Sequence, residues 1–391
     1  MSIYITGYGV ISSIGNNVDE LFTSLKAKKT GIRQGEKAFT TRYKVGEIAF
    51  SDEELHEHFQ LKTEGSRTAL LGMIAAKEAF VGHELRSDIR TGLISGTSVG
   101  GMDVSEREYA NYLNNTTHNL QAYGHHSSGT SSAQIAQELG VTDFVNTIST
   151  ACSSAANAIM MGARMIQKGW LDRVIVGGTD SLTSFTISGF RSLMIFDEEW
   201  CRPFDETRKG LNLGEGAGFI VLESAASIEK TGKQPIGRLS GWSNASDAYH
   251  QTASSPDGEG AILSMQQALD VAQLSPESID YVNAHGTATP NNDLSESKAF
   301  LHIFNGKVPP FSSTKAFTGH TLAASGGIEA VISLLSIQHG MLFPNLNHTQ
   351  VIAETGLQPV TEVISNVKVN HVLSNSFGFG GNNSTIIISA V

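Results

Sequence analysis

The stretch FVNTISTACSSAANAIMMGARM, Phe144 to Met165, carries one of the chain's two cysteines at a change of backbone pattern. FVNTIS is rich in β-branched and aromatic residues and reads as a strand. The chain turns at Thr150-Ala151-Cys152, and from Ala151 onward the residues are small or apolar on every side. A helix with no polar face is a buried one, and small side chains let it pack closely. Cys152 therefore stands near the N-terminus of a buried helix. Free backbone N–H groups and the positive end of the helix dipole gather there and are expected to lower its pKa. The same N–H groups suit a developing oxyanion. Cys201, in EEWCRPF, lacks that setting and reads as a structural core cysteine.

Outward from this stretch, short β-rich runs alternate with helical patterns. SIYITGYGV, TGLISGTSVGG, RVIVGGT and AGFIVLES read as strands, and SRTALLGMIAAKEAF as a helix. The second half repeats the order: IGRLSGWSNAS, the helix GAILSMQQALDVAQL, IDYVNAHG, the helix IEAVISLLSIQHG, then HVLSNSF and NSTIIISAV. No strict repeat is present, but the similar order points to a duplicated α/β architecture, divided as 1–240 and 241–391. No Pro- or Ser-rich linker separates the halves, so they should pack as one body. Residues 103–130 are polar and read as an excursion from the core layers.

Composition narrows the function. The chain has 391 residues, 40 glycines and a net charge of −11, which suits a compact protein without general affinity for nucleic acid or anionic membrane. Two cysteines make no disulfide framework, no run reaches the length of a membrane span, and the N-terminus has no basic segment. The expectation is a cytoplasmic protein, with the sequons at Asn115 and Asn347 accidental.

Two histidines share a setting with Cys152. His285 follows the strand of YVNAHGTATP, and His320 follows PFSSTKAFTG at the start of another small-residue helix. Turns beyond strands are where proteins display chemistry. Lys315 lies between that strand and His320, where a cation would bias an imidazole toward neutrality. In SNSFGFGGNNS, glycines alternate with Phe377 and Phe379, giving either a core-filling hairpin or a mobile loop whose aromatic gates a pocket. His56 with His58, and His125 with His126, lack a third ligand at metal spacing, so no metal site is expected. LGEGAG and TGYGVISSIG lack the endings of phosphate and dinucleotide loops and read as turns.

Taken in order, these motifs resemble the β-ketoacyl-acyl-carrier-protein synthases, the condensing enzymes of fatty acid and polyketide synthesis. The resemblance runs from ITGYGVISSIGN through TACSSAANAI, RPFDETRKGLNLGEGAG, SDAYH, NAHGTATPNND and SSTKAFTGH to SNSFGFGGNNS. It implies the thiolase fold: two βαβαβαββ halves in a five-layer αβαβα sandwich, with a homodimer, or a heterodimer with a ketosynthase-like subunit, as the assembly. Cys152 matches the nucleophile that takes the acyl chain from a carrier-protein thioester. His285 and His320 match the pair that drives malonyl decarboxylation; Lys315 supports them, with Glu296 an acidic residue in its network. Thr287 and Thr289 match hydroxyls that hold the phosphopantetheine arm, which the acyl carrier protein brings, so no resident cofactor is implied. Phe379, within Gly378, Gly380 and Gly381, matches the gating phenylalanine, whose N–H joins that of Cys152 in the oxyanion hole. Asp247 to His250 matches a facing gate loop, and Val99 the closing residue of the acyl pocket. Asn283, Glu329 and Ser374 fall where some members hold a structural monovalent cation.

The residue types suit the chemistry. A thiolate is a good nucleophile whose thioester stays activated, and imidazole N–H groups can stabilise an enolate in a dry site. A thiolase would need a second catalytic cysteine after Cys201, which is missing. Two departures stand out. The loop between Phe190 and Arg202 is short, and the basic cluster that meets an acidic carrier is reduced to Lys62 and Arg67, with Arg202, Arg208 and Lys209 as additions. The competing readings are a non-catalytic chain-length partner, which the intact Cys152 opposes, and a thiolate hydrolase, which would give free acid instead of a carbon–carbon bond.

Overall fold

The computed structural model describes residues 2–37, 39–117 and 119–391. Among them, ten strands form the main sheet. In chain order these are β1 (Ile3–Ser12), β2 (Thr91–Gly96), β3 (Phe144–Ile148), β4 (Arg173–Asp180) and β5 (Gly216–Ser224), then β6 (Gly237–Ser246), β7 (Tyr281–Asn283), β8 (Phe311–Ser312), β9 (His371–Gly378) and β10 (Asn382–Ser389). Their spatial order is β8-β7-β9-β10-β6-β1-β5-β4-β2-β3.

From the centre outward, the first set runs β1, β5, β4, β2, β3 and the second β6, β10, β9, β7, β8. Each set has two antiparallel pairings followed by two parallel ones. The sets meet only where Ile3–Ile5 pairs with Gly237–Leu239. Topology repeats where sequence does not. The dividing line expected at 240 falls inside β6, so the turn between the halves lies between the helix ending at Thr231 and Gly237.

Helices cover both faces of each set, so β4 and β5 are buried along their whole length and read as apolar runs without alternation. The helix Ser154–Gln167 packs on β4 and the helix Ser325–His339 on β5 and β9, and the two touch each other between the sets. Buried Ala155, Ala156, Ala158, Gly162 and Ala163 allow that close approach. Arg67–Ala79 and Ser128–Leu139 cover one outer face, and Glu259–Ala272 and Pro290–Ile303 the other. This is the five-layer αβαβα order that the resemblance implies.

Residues 103–130 are more than a polar excursion. Met102–Leu113 is a helix that presents exposed Tyr109 and Leu113, and Phe185 faces the same groove. Buried Arg67, 3% exposed, is no docking residue: its guanidinium is spent on Glu215, Asp52 and two carbonyls.

Candidate active site

The turn that carries Cys152 is strained: Ala151 sits at φ 51°, a left-handed backbone that costs a non-glycine residue about 1–2 kcal/mol. Hydrogen bonds hold it there. Ser154 Oγ donates to Ala151 O (2.6 Å) and accepts from Thr150 N (2.9 Å). The turn places Cys152 two residues before the helix start at Ser154, at the floor of a cavity of about 360 Å³. His285, His320, Thr287, Thr289, Gly378, Phe379 and Gly381 line that same cavity. Cys201 does not.

The backbone N–H groups of Phe379 and of Cys152 itself face the sulfur. Two N–H donors at one atom are an arrangement able to stabilise developing negative charge. Gly378 makes the approach possible, because a Cβ there would lie 2.7 Å from Thr150 O and 3.3 Å from Cys152 N. The thiol, however, is not acidified as its helix position suggested. Burial pushes it up to about 12, outweighing Lys315 and the two N–H groups. The dipole end is real, but desolvation of the buried Cys152, 4% exposed as a residue, is the larger effect.

The two imidazole rings stand at right angles with centroids 5.5 Å apart. Burial holds both well below the ordinary histidine pKa, with Lys315 next in effect, so both are neutral. His320 Nδ1 accepts from Leu322 N (3.2 Å), which leaves the hydrogen on Nε2. His320 is therefore set as an N–H donor.

Lys315 lies buried beneath the histidines and pairs with Glu329. Glu296 is not in that network, contrary to the sequence reading. Its carboxylate instead accepts from His285 N (2.9 Å), Gly286 N (2.8 Å) and Asn375 Nδ2 (3.0 Å), clamping the backbone that carries His285. Burial raises Glu296 to about 7 despite these donors. The acidic partner of Lys315 is thus Glu329 on the helix Ser325–His339, one of the residues that the resemblance places at a cation.

That cation assignment can be tested on the oxygens themselves. Asn283 Oδ1, Glu329 Oε2 and Ser374 Oγ are buried without a hydrogen-bond partner. Asn283 and Ser374 are paired across β7 and β9, and Asn283 Nδ2 donates to Glu329 O (3.3 Å). Buried oxygens of this kind, on residues linked by that pairing and that contact, are of the donor type that suits a hard monovalent cation.

Phe379 stacks on Phe190, with centroids 5.5 Å apart and planes at 22°. The two rings line both this cavity and a second pocket of about 380 Å³ that is also lined by Cys152, Val99 and Leu322. Val99 N donates to buried Asp180 (3.0 Å), which fixes that wall. Two hydrogen bonds tie the facing loops together: Gly380 N donates to Gln251 O (2.8 Å) and Asp247 N to Gly381 O (3.2 Å). At the mouth, Thr287 and Thr289 hydroxyls lie 2.9 Å apart and exposed Lys209 adds a positive charge.

Comparison with known proteins now bears on this arrangement. Residues 1–227 match the N-terminal domain of β-ketoacyl synthases and residues 236–349 their C-terminal domain. The chain belongs to the β-ketoacyl synthase family. It is 33% identical to 3-oxoacyl-[acyl-carrier-protein] synthase 2 of Staphylococcus aureus, over 98% of this chain and 97% of that protein. It is also 33% identical to the synthase of the same name from Synechocystis, with 98% and 97% covered. Among solved structures, the ishigamide ketosynthase/chain length factor superposes with a TM-score of 0.92 at 27% identity, over 100% of this chain and 99% of that one. A ketosynthase from Xenorhabdus doucetiae, in complex with its chain length factor, gives 0.86 at 31% identity, with 100% and 98% covered. The family is one of condensing acyltransferases of fatty acid and polyketide biosynthesis.

Proposed function

We propose that this β-ketoacyl synthase carries out decarboxylative condensation with Cys152 as nucleophile and His285 and His320 as the enolate-stabilising pair. The observation that carries the reading is the convergence of Cys152, both histidines and the Phe379 N–H on one cavity. In acylation, the sulfur attacks the carbonyl of a carrier-bound acyl thioester. The oxyanion is met by the N–H groups of Cys152 and Phe379, and the carrier's thiolate leaves with the proton the cysteine gives up. Because that thiol starts near 12, its proton must pass to a neighbouring imidazole as the bond forms, and a neutral His285 is the acceptor. In extension, the malonyl thioester loses CO2. The resulting enolate oxygen is held by the imidazole N–H donors, and its carbon attacks the Cys152 thioester, releasing the sulfur.

Lys315 and Glu296 are positioning residues in this reading. Asp247, Gly380 and Gly381 hold the gate, and Val99 limits the second pocket, which receives the acyl chain. Thr287, Thr289 and Lys209 receive the phosphopantetheine arm of an acyl carrier protein. No resident organic cofactor is needed, and a monovalent cation at Asn283, Glu329 and Ser374 would give the orphan oxygens a partner. Among the described residues, no helix is long and apolar enough to cross a membrane, and we assign the work to the cytoplasm. Among the described residues, no strand pairs with the outer edge of β3. The nearby groove of about 940 Å³, walled by Met102, Tyr109, Leu113 and Phe185, supports association with a second chain of this fold. Either a second copy or a ketosynthase-like partner would serve.

The test is a panel of acyl- and malonyl-carrier proteins, read by mass spectrometry of the carrier arm. A carrier-bound β-ketoacyl product with release of CO2 is expected. Free acid in its place would make the protein a hydrolase, and no acylation at all would make it a non-catalytic subunit.

A further inference from the structure

Phe379, Gly380 and Gly381 form the three-residue tip of the β9–β10 hairpin, closed at its base by Gly378 opposite Asn382. Gly380 (φ 85°) and Gly381 (φ 74°) supply the left-handed conformations that the turn needs. The side chain of Asn382 points away from the tip's chemistry and into a polar cluster. Its Oδ1 is approached by Asn244 Nδ2 (2.6 Å), Ser153 Oγ (2.7 Å) and Asn157 Nδ2 (3.0 Å). Those donors come from β6, from the residue after the nucleophile, and from the nucleophile's helix.

The rest of the cluster closes on itself. Asn157 Nδ2 also donates to Thr150 Oγ1 (2.8 Å), Asn244 Nδ2 to Ser384 Oγ (2.8 Å), and Ser384 Oγ to Asn157 Oδ1 (2.9 Å). A carbonyl has two lone pairs, so the two amides fill them and the Ser153 hydroxyl turns to Thr150 O, also at 2.7 Å. Among the described residues, every side-chain bond to Asn382 uses its oxygen: Asn157 leads through its other amide hydrogen to Thr150 of the turn, and Asn244 leads to β6.

We infer that Asn382 is a positioning residue whose side-chain carbonyl pins the base of the gating hairpin to the nucleophile turn. The Phe379 N–H then stays on the Cys152 sulfur while the Phe379 ring leaves and regains its stack on Phe190. Hinge motion is confined to the two-glycine tip. The inference rests on the proposed role of the Phe379 N–H as an oxyanion donor.

Asn382→Leu keeps the shape and removes the acceptor; Asn382→Asp keeps an acceptor oxygen. Two readouts are taken on the full chain. One is the rate of Cys152 acylation by an acyl-carrier protein, followed by intact mass. The other is hydrogen exchange of peptides covering residues 376–384. For Asn382→Leu, exchange at the hairpin base should rise. Acylation should slow by about 10–100-fold at saturating carrier, short of outright loss of an oxyanion donor, with KM changed less than about threefold. Asn382→Asp should stay within about threefold of the parent in both. Parental exchange and rate in Asn382→Leu would overturn the inference, as would an Asp variant as slow as the Leu variant. If Asn382→Leu fails to fold, Asn244→Ala removes a single donor and should show the same exchange signature in milder form; parental exchange there would overturn the inference too. If the parent itself is never acylated, the ketosynthase reading fails, and the exchange measurement alone decides the pin.

Discussion

Replacing Lys315 with Met is the sharpest probe of how the site is supported. Among the described residues, the lysine ammonium is the only charged partner of Glu329, and both side chains are almost fully buried (2% and 3% exposed). Removing it leaves a carboxylate in the interior with Oε2 already unpartnered. Breaking a buried pair from one side costs about 3–5 kcal/mol, because the remaining charge keeps its desolvation penalty. Burial already raises the Glu329 pKa, so the variant will take up a proton there and lose less at lower pH. Adding Glu329→Gln removes the stranded charge and should recover at least about 2 kcal/mol, a coupling within the range of contacting residues. The assay is urea denaturation of the parent, Lys315→Met, Glu329→Gln, Glu296→Gln and the two doubles. A second readout is the acid limb of malonyl decarboxylation. Lys315 helps hold both histidines neutral, so its loss lets them protonate at higher pH and moves that limb upward. Rescue by Glu296→Gln instead of Glu329→Gln, or a loss below about 1 kcal/mol, would refute the pairing and the argument built on it.

Other outcomes follow from the same geometry. Iodoacetamide should label Cys152 well before Cys201, by access alone since burial pushes both thiols to about 12; a bound acyl chain should protect Cys152, and equal labelling would remove the assignment. Phe379→Ala removes the ring that stacks on Phe190 and should slow turnover about tenfold or more while unfolding stays cooperative; a collapse in thermal stability would make the ring a core residue instead. His285 and His320 have folded pKa values below the ordinary 6.5, so the unfolded chain binds more protons as pH falls through that value. Their contribution to stability is complete above about 6.5 and is lost on acidification, at most about 1.4 kcal/mol per pH unit for each. His320→Ala should flatten the pH dependence of the denaturation midpoint between 6.5 and 5.5, and an unchanged slope would contradict its buried neutral state.

Local chemistry was the most legible part of this chain. The turn at Cys152, the strand-end settings of His285 and His320 and the glycine-flanked Phe379 are all marked by their own neighbours in sequence. Repetition of strand order was legible too, since alternating strand and helix patterns carry it without residue identity. What escaped depends on which buried groups meet across the fold. Glu296 and Glu329 are both acidic residues on helices after a histidine, and only packing shows that the first clamps the His285 backbone while the second takes Lys315. Arg67 reads as a surface cation until Glu215, 148 positions later, is seen beneath it. The Cys152 pKa followed the same pattern: the helix terminus is visible in the sequence, but the depth of burial that overrides it is not. Asn382 had no signal of its own beyond lying next to the glycines.

In the proposed mechanism the sulfur and the two histidines divide the reaction between acylation and decarboxylation, and one variant separates them. Cys152→Gln removes the thiol and places a neutral carbonyl beside the N–H groups of Phe379 and residue 152, imitating the acylated state. Given malonyl-carrier protein, it should release CO2 without forming a β-ketoacyl product. Adding His285→Ala or His320→Ala should suppress that release by about a hundredfold, the loss of one donor worth about 3 kcal/mol to the enolate. Undiminished CO2 release from the Gln variant with both histidines removed would contradict the account.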